Sequence, residues 1–262
     1  MTDWLAGSAA AKRRRDLRVL TEVGYGPHPR HRMDIWAPAA ANGKCPVIAF
    51  LHGGFWQMGS KELGGFAGPA FAEAGFVFAA IGYRLAPEAA LRGIAGDVRS
   101  ALVHLRKLVP ELGGDPDRII VAGHSAGAHL AAGLLAGPDA AGPCASLAGL
   151  VLISGVFDLA PIAASYVNDT VHLTQGEIAE LSPALHRPHR DIPVSILVGS
   201  DETPEFRRQS TLLERAWRPH LSHLERRELP GRDHFDILSG LAEPGDEAFA
   251  AVQQIAQRST RP

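Results

Sequence analysis

Ser125 is the residue around which chemistry could be built. It stands in Gly123-His124-Ser125-Ala126-Gly127, after the apolar run Ile119-Ile120-Val121-Ala122 and before Ala128-His129-Leu130. Strand, sharp turn and helix in that order form the context of a G-x-S-x-G nucleophile elbow. Glycines at 123 and 127 carry no Cβ, so strand and helix can approach closely and push the serine hydroxyl out at the strand's carboxyl end. The Ala126 N–H would face the same space from the positive end of the following helix. Gly and Ser are common, so the five-residue pattern gains its weight from the strand and helix that flank it.

A serine hydroxyl is a weak nucleophile at neutral pH; it needs a base, and the base needs an orienting carboxylate. Around such an elbow the chain order is nucleophile, acid, histidine. Asp201 follows the run Val194-Ser195-Ile196-Leu197-Val198-Gly199-Ser200 and is the expected acid; Glu202 and Glu205 are rivals lying further from the strand end. An aspartate there could instead cap the helix that begins near Pro204. His234, in the turn-rich Gly231-Arg232-Asp233-His234-Phe235, is the expected base, whereas His223 lies inside a strand pattern. His124 and His129 flank Ser125 but would point away from its hydroxyl, as structural hydrogen-bonding residues. His52-Gly53-Gly54 ends another apolar run. The N–H groups of Gly53, Gly54 and Ala126 are candidates for an oxyanion hole, and either glycine could donate.

These residues need a scaffold. Residues 1–17 read as a helix, and 18–24 and 31–36 alternate as an antiparallel pair joined by a turn holding His28 and His31, read as exposed loop histidines. Continuous apolar runs at 46–51, 76–81, 119–122, 150–153 and 193–198 predict strands buried on both faces. Helical patterns fall near 66–74, 92–109, 204–217 and 245–258, with 221–229 strand-like. The alternation predicts an α/β fold: a mostly parallel twisted sheet with helices on both faces. Residues 155–190 break the rhythm and are expected to be a small lid insertion within a single domain spanning 1–262.

The remaining composition excludes several classes. With 26 Lys plus Arg against 28 Asp plus Glu, the net charge of −2 offers no broad field for nucleic acid or anionic membrane. No apolar run approaches the roughly 18 residues that span a bilayer. The start of the chain lacks a secretory pattern, and Cys45 and Cys144 read as small core residues, so a cytoplasmic setting is expected. No cluster of histidines and carboxylates has metal-ligand spacing, so neither metal nor cofactor is expected.

Taken together the motifs resemble the α/β-hydrolase superfamily, and within it the arylformamidase (kynurenine formamidase) group. His52-Gly53-Gly54-Phe55-Trp56-Gln57 is similar to that group's HGG-aromatic-Trp motif, commonly written with Tyr where Phe55 stands. The elbow, Leu181-Ser182-Pro183, Asp201-Glu202-Thr203-Pro204-Glu205-Phe206 and Asp233-His234-Phe235 also resemble segments of the group. The elbow, the HGG step and Tyr83-Arg84-Leu85-Ala86-Pro87 are shared with hormone-sensitive-lipase-like esterases. The resemblance implies an α/β-hydrolase fold and hydrolysis of N-formyl-L-kynurenine through a formyl-enzyme, with Ser125, Asp201 and His234 as catalytic residues. It implies a tight acyl pocket, which Phe55 and Trp56 could wall. A carboxylesterase acting on short acyl or aryl esters is the alternative. The partner would be a small formamide or ester, with a homodimer as a possible assembly.

Overall fold

The five apolar runs become the centre of an eight-stranded sheet in the order β1-β2-β4-β3-β5-β6-β7-β8. The computed structural model describes residues 2–41, 44–138 and 147–259. The strands are β1 (Arg18–Gly24), β2 (Arg32–Ala37), β3 (Cys45–Leu51), β4 (Val77–Ile81), β5 (Gly114–His124), β6 (Leu147–Ile153), β7 (Val194–Gly199) and β8 (Leu224–Leu229). β1, β2 and β4 pair antiparallel, and β4-β3-β5-β6-β7-β8 are parallel throughout. Strands buried on both faces require helical cover on both sides. One face carries α1 (Thr2–Ala11), α2 (Gly68–Glu73) and α10 (Glu247–Arg258); the other carries α3 (Leu91–Leu108), α4 (Ala126–Gly133) and α8 (Pro204–Trp217).

Local sequence explains the helix limits. α3 buries Leu91, Ile94, Val98, Leu102 and Leu105 on one stripe, and the chain then stops at Pro110 and a left-handed Gly113. α8 starts with Pro204 in its first turn, where a missing N–H costs nothing. Between β6 and β7 lie the short helices α5 (Ala160–Ala163), α6 (Asn168–Val171) and α7 (Gln175–Leu181). α7 begins with a reciprocal capping box between Thr174 and Glu177. After β8 comes α9 (Asp236–Ser239).

The α/β-hydrolase architecture expected from the sequence is the one observed. One local expectation changes. His31 is buried, stacked on Tyr25 at 4.9 Å with its Nε2 3.1 Å from Asp97, because the β1–β2 turn folds over the start of α3. Cys45 is buried as expected, whereas Cys144 lies outside the described residues. Among the described residues no helix is long and apolar enough to cross a membrane.

Candidate active site

Five adjacent strands deliver the site from their carboxyl ends, where α/β sheets place ligands. β3 leads into His52-Gly53-Gly54, β5 into Ser125, β6 into Ser154, β7 into Glu202 and β8 into His234. Ser125 has φ 55° and ψ −118°, a conformation that a side chain rarely adopts. Its N–H donates to Ile153 O at 2.8 Å, anchoring the turn to the neighbouring strand. A Cβ on Gly123 would overlap the Gly127 carbonyl, and one on Gly127 would overlap the Leu51 carbonyl. Only glycines let β5, α4 and the end of β3 meet this closely. Gly53 lies against Ser125: a Cβ built there would come within 3.1 Å of the serine Cβ.

The histidine is held by a glutamate. His234 Nδ1–H donates to Glu202 Oε2 at 2.8 Å, which leaves Nε2 as the basic nitrogen. The Glu202 side chain is fully buried. Its Oε1 accepts from Ser154 Oγ at 2.5 Å and from Gly199 N–H at 2.8 Å, so both carboxylate oxygens are satisfied. Phe206, on the first turn of α8, stacks on the His234 ring at 4.0 Å. His124 Nε2–H donates to His234 O at 2.8 Å and fixes the histidine loop from behind. Burial, and then the neighbouring His234, hold His124 at a pKa of about 3, so it stays neutral. Ser125 and His234 line one cavity, although no hydrogen bond joins Ser125 Oγ to His234 among the described residues.

The structure corrects the acid. Asp201 is exposed at the tip of the turn after β7, where its carboxylate accepts from Ser200 Oγ. The turn is pinned to the histidine loop by its backbone, with Ser200 N–H to Leu229 O at 2.9 Å and Asp201 N–H to Arg232 O at 3.0 Å. That pairing uses residues 200 and 201 as the outward corner and returns Glu202 to the interior. Glu205, the other rival, is engaged with Arg208 and Gln209. Apolar periodicity locates the end of the strand but carries no information about which of two successive carboxylates the turn points inward.

The pocket walls also differ from expectation. The cavity, about 400 Å³, is lined by Ser125, His234, Gly53 and Gly54, and by Phe55 and Met58 of the following loop. Trp4 and Leu5 of α1 and Phe235 and Leu238 complete it. Trp56 is not part of this wall: it is fully buried and packs edge-on against His129 at 4.8 Å. Gly54, Phe55 and Trp56 all have positive φ, and this tight left-handed turn sends successive aromatics to different places. Residues 155–190 line none of this cavity. They pack laterally: Leu181 O accepts from His129, Pro183 O from Trp217, and Glu177 from Arg92 N–H. The wall over the serine is α1, held by Trp4 Nε1–H to Ser239 Oγ at 3.1 Å and by Trp36 Nε1–H to Ala11 O at 3.0 Å. Neither α1 nor Ser154 carried any motif in the sequence.

The one group of potential metal ligands among the described residues is Glu22, Asp34 and Glu62. Its centre is taken by the Lys61 ammonium, at 2.5, 2.9 and 2.6 Å from the three carboxylates. Lys12 adds a second ammonium, 2.8 Å from Asp34. The cluster is an ion-pair network, not a vacant cation site.

Known proteins are similar to this chain in sequence and fold. The BD-FAE family matches residues 33–142. Kynurenine formamidase of Salmo salar is 31% identical over 234 residues, covering 86% of this chain and 78% of the relative. A crystal structure of a putative thioesterase from Silicibacter sp. TM1040 superposes with a TM-score of 0.85 at 26% identity, covering 96% of this chain and 92% of the other. Esterase B from Lactobacillus rhamnosis, inhibited by a tributyrin phosphonate, superposes with a TM-score of 0.80 at 21% identity, covering 98% and 91%.

Proposed function

The chain belongs to the kynurenine formamidase family of α/β-hydrolases, and from that premise we propose that it hydrolyses N-formyl-L-kynurenine to formate and L-kynurenine. The observation that carries the reading is the Glu202–His234 couple at 2.8 Å, set in one cavity with a serine on a strained elbow. Ser125 Oγ attacks the formyl carbon as His234 Nε2 takes its proton. The N–H groups of Gly53, Gly54 and Ala126 receive the developing oxyanion. His234 then protonates the departing aniline nitrogen, releasing L-kynurenine and leaving a formyl ester on Ser125. Water, deprotonated by His234, attacks that ester; formate leaves and Ser125 recovers its proton. Glu202 keeps His234 in the productive tautomer and stabilises its charged form.

A carboxylesterase is the second reading. It is favoured by one observation: among the described residues no Lys, Arg, Asp or Glu lines the cavity around Ser125, and Leu5, Met58 and Phe235 at its rim are all large exposed apolar side chains. The two readings separate in kcat/KM for N-formyl-L-kynurenine, phenyl acetate and phenyl butyrate. A formamidase favours the formamide and loses rate by ~10–200-fold for an added methylene that its pocket does not fit. Higher values on the butyryl ester than on the formamide would replace the first reading with the second. In either case Ser125→Ala lowers turnover by at least about 10³-fold and abolishes labelling by a fluorophosphonate.

A further inference from the structure

N-formyl-L-kynurenine carries a carboxylate and an ammonium, yet among the described residues no Lys, Arg, Asp or Glu lines the cavity around Ser125. A second cavity, of about 320 Å³, shares the lining residue Ser60 with the first. Arg30, Arg32, Lys61, Glu22 and Glu62 supply the charges of this second space. Lys61 is already bonded to both glutamates, at 2.5 and 2.6 Å, and Lys12 also reaches Glu62 at 3.0 Å, so each carboxylate of this space is held by an ammonium. The two arginines differ. Among the described residues neither is paired with a carboxylate; each is oriented only by neutral carbonyls. Arg30 Nη1 donates to Gly59 O at 3.0 Å, and Gly59 itself lines the Ser125 cavity. Arg32 Nη1 donates to His31 O at 2.9 Å. Gly82, which follows β4, also lines the second cavity, so the arginines stand at the carboxyl edge of the sheet, one strand away from His52. A guanidinium left with free donors beside a polar cavity suits a carboxylate in bidentate geometry.

We propose that Arg30, assisted by Arg32, is a carboxylate-recognition subsite for the leaving group, reached from the Ser125 cavity past Gly59 and Ser60. The inference rests on the reading of Ser125 as the nucleophile. It assigns the apolar cavity to the formamide and its aryl ring, and the arginine cavity to the acidic end of the amino acid. The enzyme therefore selects aryl formamides whose leaving group bears a carboxylate over neutral ones of the same ring.

The test uses matched substrates on the full-length enzyme: N-formyl-L-kynurenine against ortho-formamidoacetophenone, and 3-acetoxybenzoate against phenyl acetate. Arg30→Ala should raise KM for the carboxylate-bearing member by about 10–100-fold, the effect of losing a hydrogen bond to a charged group. Its kcat should change by less than about threefold, and kcat/KM on the neutral member by less than about twofold. Arg30→Lys should recover part of the loss, and Arg32→Ala should show a smaller loss of the same kind. Equal losses on both members of a pair would mean that Arg30 only positions the Gly59 loop, and would overturn the proposal. Unchanged KM on the carboxylate members would also overturn it. If the wild type cleaves the esters but neither formamide, the formamidase reading fails, and the ester pair alone decides the subsite. A wild type that cleaves no member of either pair overturns both.

Discussion

At the scale of single residues, the site turns on which carboxylate meets His234. Glu202 does so from a fully buried position with three accepted hydrogen bonds, whereas Asp201 faces solvent. Glu202→Gln keeps the shape but can present an amide N–H to His234 Nδ1, which favours the wrong tautomer; kcat should fall by roughly 10³–10⁴-fold with little change in KM. Asp201→Asn should alter kcat/KM by less than about twofold. Steady-state kinetics of the two variants side by side decides the assignment. A silent Glu202→Gln together with a crippled Asp201→Asn would reverse it.

At the scale of elements, the elbow is a contact between three backbones with no room for a side chain. Gly123→Ala would press a Cβ onto the Gly127 carbonyl, and backbone cannot rotate away as a side chain can. Overpacking of this kind costs about 1–3 kcal/mol, which lowers Tm by roughly 2–12 °C in a protein of this size. Gly133, at the end of α4, is the control, since a Cβ there meets nothing within 4 Å. Gly133→Ala should leave Tm unchanged or raise it slightly, because alanine gains about 0.5–1 kcal/mol over glycine in a helix. Thermal melts of both variants measure the contrast. Equal melting points would show that the elbow has room to spare.

At the scale of the whole molecule, burial of neutral histidines links stability to pH. Burial holds His52 and His129 at about 4 and, with the neighbouring His234, holds His124 at about 3, against an ordinary value near 6.5. The unfolded chain therefore binds protons that the folded chain refuses. This contribution to stability is complete above about pH 6.5 and is lost progressively as pH falls toward the folded-state values. Urea unfolding at pH 8, 6.5, 5.5 and 4.5 should show a plateau and then a decline, with up to about three protons taken up on unfolding at the acid end. A stability that stays flat down to pH 4.5 would contradict neutral burial of these rings.

The sequence by itself determined the sheet, the elbow and the histidine loop. Their signals are local: the runs at 46–51, 119–122 and 193–198 can be buried only as central strands, and Gly123 and Gly127 flank a serine where only glycine fits. Boundaries shifted by a few residues, as with β6 beginning at Leu147 where the apolar run suggested 150. What tertiary structure decided is wherever two distant segments meet. Glu202 displaced Asp201 because the loops after β7 and β8 bond to each other through Asp201 N–H and Arg232 O. Trp56 left the pocket because three successive positive φ values turned it into the core. α1 became the wall over Ser125 through bonds to Ser239 and Trp36, partners 235 and 25 residues away. Strand periodicity reports which residues are buried; it does not encode the side on which a turn, a strained loop or a docked helix presents the next side chain.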